Sequence, residues 1–89
     1  MPTQPAPPPT ICIRLRNSTG RDLDLWIEPL GDHILFPKHT AIEVRCNEQL
    51  GHPNEIEWSD NAISIHGWVQ NVSALDGEGG LRLLWSLPI

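Results

Sequence analysis

The sequence predicts an all-β chain: a single small antiparallel β-sandwich or partly open barrel of seven or eight short strands. Three observations carry this. Apolar and polar residues alternate with period two through most of the chain after residue 10, as strands with one buried face require. Turn signals punctuate that alternation, among them Asn17-Ser18-Thr19-Gly20, Pro29-Leu30-Gly31-Asp32 and Asp76-Gly77-Glu78-Gly79-Gly80. No stretch long enough for a helix combines helical spacing with caps. With 89 residues there is length for one domain and no second.

The elements follow in order. Residues 1–10 hold five of the nine prolines and no charge, the composition of an extended tail that buries nothing. The domain is expected over residues 11–89. Ile11, Ile13 and Leu15 alternate with Cys12, Arg14 and Arg16 in the first strand. Leu23, Leu25 and Ile27 then alternate with Asp22, Asp24, Trp26 and Glu28, and Pro-Leu-Gly-Asp reverses the chain into His33-Ile34-Leu35-Phe36. Ile42, Val44 and Cys46 share one face of the next strand. Residues 55–58 precede a Ser-Asp-Asn turn, and Ile63 and Ile65 then alternate with Ser64 and His66 in a strand interrupted at Gly67 by a bulge or a close backbone approach. Residues 72–75 and 81–87 are the arms of a last hairpin. Parity gives the expected core: Ile11, Ile13, Leu15, Leu23, Leu25, Ile27, Phe36, Ile42, Val44, Ile56, Trp58, Ile63, Ile65, Leu81, Leu83 and Trp85.

Composition excludes several functions. Six basic residues stand against eleven acids for a net charge of -5, and the basic ones are scattered. A nucleic-acid surface needs the reverse, because affinity comes from cations that displace counterions from phosphate. No apolar run reaches membrane-spanning length, and the proline-rich start is unlike a secretory signal. The expectation is a cytoplasmic protein with Cys12 and Cys46 reduced.

Catalytic and metal chemistry find little support. No nucleophile motif is present, and parity makes Cys46 a core residue rather than a reactive thiol. The spacings His33-x5-His39 and Cys46-x5-His52, with His66 apart, are not those that place two ligands on one ion. The single methionine, Met1, leaves a copper site on a sandwich without its usual axial ligand. The glycine-rich Asp76–Gly80 segment carries two acids that would repel phosphate. No cofactor, no metal and no enzymatic activity are expected.

The aromatic residues are more informative. Four tryptophans are accompanied by one phenylalanine and no tyrosine. Trp58 and Trp85 fall on core parity. Trp26 does not, for it shares its face with Asp24 and Glu28, and a bulge at Gly67 leaves Trp68 open to either face. A tryptophan beside acids suits a protein-interface anchor or a sugar-stacking platform. Equally, the tail, a loop or a second sheet covers it.

The segments Asn17, Leu23–Asp32 (LDLWIEPLGD), Phe36-Pro37, residues 55–68 (EIEWSDNAISIHGW) and Asp76-Gly77 resemble a group of small uncharacterised bacterial β-proteins. In that group a strand ending in Asn-Thr or Asn-Ser precedes a Leu-x-Leu-Trp-x-Glu-Pro-x-Gly hairpin, and a Gly-Trp strand comes later. A Leu-Pro-Pro-Gly turn usually follows that hairpin in the group; here the chain departs at Phe36-Pro37-Lys38-His39, where the second proline and the glycine are absent. The resemblance implies a compact all-β domain, and it brings no catalytic residue and no assigned function. The β-domain of the von Hippel–Lindau tumour suppressor is similar at the level of architecture alone.

These residues together point to a non-catalytic protein-interaction or structural module. Its surface is expected to comprise Asp24, Trp26, Glu28 and Trp68, with Leu84 as an extension, and to meet a basic protein partner. A carbohydrate-binding module and a metal-dependent enzyme are the alternatives. Exposed strand edges would also allow a homodimer. On core parity, Trp58→Ala and Trp85→Ala should each lower the unfolding free energy by about 3–5 kcal/mol in chemical denaturation.

Overall fold

A computed structural model describes residues 9–48 and 53–88. Eight strands form two stacked sheets: β1 Thr10–Arg16, β2 Leu23–Glu28, β3 Asp32–Phe36, β4 Ala41–Asn47, β5 Glu55–Trp58, β6 Ala62–His66, β7 Val69–Leu75 and β8 Leu81–Ser86. One sheet has the order β1-β4-β7-β8 and the other β3-β2-β6-β5. The sandwich expected from the alternation is present, and its sheets do not close into a barrel. Every pair is antiparallel except β2–β6, which runs parallel, so the second sheet is mixed. Among the described residues no helix is long and apolar enough to cross a membrane. Of the expected tail, residues 1–8 lie outside the described residues. Thr10 already belongs to β1, opposite Asn47, and Glu48 N–H donates to Pro9 O at 2.8 Å.

The core is built from the inner faces. Leu23, Leu25 and Ile27 of β2 meet Ile63 and Ile65 of β6 within the mixed sheet, and Ile42, Val44 and Cys46 of β4 oppose them from the other. Phe36 and Val72 complete the fully enclosed set. Ile13, Leu15, Ile56 and Trp85 are only partly covered.

Four expected core residues are not in it. Leu81 and Leu83 are exposed because β8 carries one extra residue: Ser73 pairs with Leu83, yet Val72 pairs with Trp85. Leu84 is the inserted residue, so residues 83 and 85, two apart in sequence, face opposite sides. Trp85 turns inward and donates from Nε1 to Asp32 Oδ2 at 2.7 Å, tying β8 to β3 across the open edge. Trp58 ends a four-residue edge strand opposite Ile63 and is 57% exposed. It has core parity but is mostly uncovered. Ile11 overhangs the end of β1 in the same way. A second bulge, between Arg45 and Cys46, inserts Gln70 into β7 and turns Val69 into the core opposite Cys46, a position parity did not supply.

Four connections cross between the sheets, and peptide groups at the crossings need partners outside the ladders. Asn17, 1% exposed, satisfies two crossings at one end. Its Nδ2 donates to Arg21 O at 2.8 Å and Phe36 O at 3.0 Å, and its Oδ1 accepts from Thr19 N and Thr19 Oγ1. Its backbone N–H and C=O bond Thr40 O and His39 N. Asn54 does the same at the opposite end, donating to Asn47 O at 3.2 Å and accepting from Trp68 N at 2.9 Å. Gly67 is required beside it. At φ +144° a Cβ would lie 2.0 Å from Asn54 Oδ1.

Asn17→Ala leaves buried donors and acceptors unpaired and should lower stability by at least about 2 kcal/mol in urea unfolding. Asn17→Asp should be worse at neutral pH, because a buried carboxylate would face two carbonyls. Its folded pKa is then raised, so its stability returns as pH falls and is lost as pH rises. With the core boundary redrawn, Trp58→Ala should change stability by less than about 0.5 kcal/mol, whereas Trp85→Ala should cost about 2–4 kcal/mol.

Candidate functional site

The outer face of the mixed sheet holds most of the residues that the sequence singled out. Register fixes three cross-strand rows on it: Leu35–Asp24–Ala62, His33–Trp26–Ser64–Glu57, and Glu28–His66–Glu55. Trp26 is 37% exposed. The opposing sheet lies on the other side of β2 and does not reach it. His33 does: the two rings lie 4.8 Å apart between centroids, tilted by 47°. His33 Nε2 is held in turn by Asp24 Oδ1 at 2.7 Å, a hydrogen bond that becomes an ion pair when the ring is protonated. Trp26 is thus braced by a neighbour on its own face, with over a third of its surface left open.

Charge on this face has one sign. Asp24, Glu28, Glu55 and Glu57 all belong to it, and none of the four strands contains a lysine or arginine. Leu35, 53% exposed, adds a second apolar side chain near Trp26. His66 sits between Glu28 and Glu55 in the third row, and its Nε2 is buried without a hydrogen-bond partner.

Trp68 occupies the crossover beyond this face. Its backbone is fixed by Asn54 and by Asn47 N–H, which donates to Trp68 O at 2.9 Å. Its ring is 42% exposed and lines, with Pro29, Leu30 and Leu87, an apolar hollow of about 120 Å³ at the rim next to Glu28. Asp24, Trp26 and Glu28 therefore share one face, while Trp68 borders its end. Leu84 is not an extension of it. As the bulge residue of β8 it packs against the core and lines a separate hollow of about 260 Å³ with Leu35, Pro37, Ile42 and Ala74. Sequence reasoning missed His33, Leu35, Glu55 and Glu57 as members of the face. The reversal is centred between Pro29 and Leu30, and this is what sets His33 opposite Trp26.

Among the described residues of this face no hydroxyl or thiol lies in contact with the Asp24–His33 pair. Asp24 and His33 are linked, but the hydroxyl on their row, Ser64, is two strands from His33, about 9.5 Å, with Trp26 between them. His39 lies in the β3–β4 crossover at φ 58°, and His52 lies outside the described residues. Among the described residues no three His, Cys, Asp or Glu side chains are grouped to hold a metal ion. The Asp76 carboxylate organises its own loop, accepting from Glu78 N and Gly80 N through Oδ1.

Cys12 and Cys46 are free, on adjacent strands but opposite faces, since Ile11 pairs with Cys46 and Cys12 with Arg45. No family model matches the chain, and searches of curated proteins and of solved structures found no match. No relative's function can therefore be brought to this site.

Burial, with a lesser contribution from Cys12, raises the Cys46 thiol above its ordinary value of 9.0. Its stabilising effect is complete below the unfolded thiol's pKa and is lost as pH rises through the higher folded value. Urea midpoints should accordingly begin to fall above about pH 9, and a Cys46→Ala chain, though weaker throughout, should lose this alkaline step. A disulfide-exchange reagent should titrate one thiol, Cys12, until the chain is unfolded.

Proposed function

We propose that the chain is a non-catalytic interaction module that binds a basic protein surface through the outer face of its mixed sheet. One observation supports this above the others: a tryptophan more than a third exposed, held in place by His33 and Asp24, on a face with four carboxylates whose strands contain no lysine or arginine. Aromatic side chains fixed in advance make effective anchors, because little rotamer freedom is lost on binding. The carboxylates suit a partner rich in lysine or arginine, and they set its approach and its orientation more than its affinity. Trp68 and the hollow beside Pro29 extend the apolar part of the surface around the rim.

Asn17 and Asn54 hold the frame, and neither lies on the binding face. Trp26→Ala should abolish capture of the native partner from cells while moving the thermal midpoint by less than about 3 °C, since its ring contributes to no core contact. A large fall in the midpoint would place Trp26 among the structural residues instead. Glu55→Lys with Glu57→Lys should weaken capture with the fold intact, and the effect should shrink at high salt.

A further inference from the structure

The second sheet has an outer face of opposite character. Register assigns to it Arg14, Arg16 and Arg45, with Glu43 as the only acid, and all three arginines are exposed. Arg14 Nε lies 3.3 Å from Glu43 Oε2, which leaves Arg16 and Arg45 without an ion-pair partner among the described residues. On the β8 side of the same face stand Leu81 and Leu83, 53% and 60% exposed. The bulge of β8 put them there.

The two faces are also laid out alike. In the β1-β4-β7-β8 sheet the charged residues occupy β1 and β4 and the leucines occupy β8. In the β3-β2-β6-β5 sheet the apolar residues Leu35 and Trp26 occupy β3 and β2, and Glu55 and Glu57 occupy β5. The Trp85–Asp32 bond sets β8 over β3. Both apolar zones therefore lie at one edge of the sandwich, and the cations and the outermost carboxylates lie toward the other.

From this layout we propose that copies of this chain stack head to tail, the arginine face of one on the Trp26 face of the next. A shift along the sandwich normal, with no half-turn, brings leucine onto Trp26 and Leu35 at one edge and arginine onto Glu55 and Glu57 at the other. Because the two surfaces differ, the contact is heterologous and does not close on itself at two copies. A face of four strands, about 19 Å across, is at the small end of specific interfaces. Association is then weak, salt-sensitive and dependent on concentration. The inference rests on the Trp26 face being the binding surface and names a second copy as the basic partner.

The test uses analytical ultracentrifugation of the full chain from about 10 to 500 μM, the range in which a micromolar contact titrates. The mass should rise with concentration and fall with added salt. Leu83→Asp blocks the arginine face and Leu35→Asp blocks the Trp26 face. Both residues are more than half exposed, so both variants should retain the native circular dichroism and thermal midpoint. Each alone should sediment as a monomer. Mixed in equal amounts, they should form one-to-one dimers and nothing larger, joined by the intact Trp26 face of the first and the intact arginine face of the second. A wild-type chain that stays monomeric throughout overturns the proposal, as does a dimer that persists in both variants or a mixture that remains monomeric. If the wild-type chain is monomeric and still captures a basic partner through Trp26, stacking fails and the proposed function stands. Loss of both results removes both.

Discussion

A sandwich that changes sheets four times must find partners for the peptide groups at every change, and here two asparagine amides carry that duty. Asn17 gathers the β1–β2 and β3–β4 crossings at one end. Asn54 gathers β4–β5 and β6–β7 at the other. An amide suits the task because it donates twice and accepts twice in one plane, and a buried crossing needs both. The enclosed apolar set is small, so the two ends cannot rely on burial alone to hold the sheets in register. The geometry of the faces, and with it any binding surface, follows from these two nodes and the Trp85–Asp32 tie.

The strands were legible because period two survives wherever one face is dry. β2, with Leu23, Leu25 and Ile27 inside and Asp24 and Trp26 outside, shows it most plainly. Legibility ended at three kinds of place. Bulges broke parity in β7 and β8, exposing Leu81 and Leu83 and burying Val69, and no composition cue marks either insertion. Near strand ends the core thins, so Ile11 and Trp58 keep the right parity and are only partly covered. Pairing across the sheets was the third, since the parallel β2–β6 ladder joins segments far apart in sequence, and local patterning does not choose partners.

The surface residues were legible for a different reason. Trp26 stood out because an indole on a wet face violates the pattern, and Asp24 and Glu28 stood out by sharing that face. What the sequence could not supply was the brace. His33 reaches Trp26 only through the hairpin register, and Glu55 and Glu57 join only once β5 is seated beside β6. The sequence left Trp68 open to either face; Gly67 passes close to Asn54, and Trp68 lies in the crossover between β6 and β7, at the end of that face.

The parallel pairing of β2 with β6 has a bearing on how the chain is made. The β2–β3 and β5–β6 hairpins are local and can form soon after each is synthesised, but their ladder joins residues 24–28 to 62–66. Until residue 66 has left the ribosome, Leu23, Leu25 and Ile27 have no strand on one side. The opposing sheet is equally incomplete, because β4 still waits for β7. A nascent chain of this kind carries an uncovered apolar ribbon until about three-quarters of its residues have been made, and closure then comes late. The acids of β2 and β5 would meanwhile keep that ribbon from meeting others of its kind.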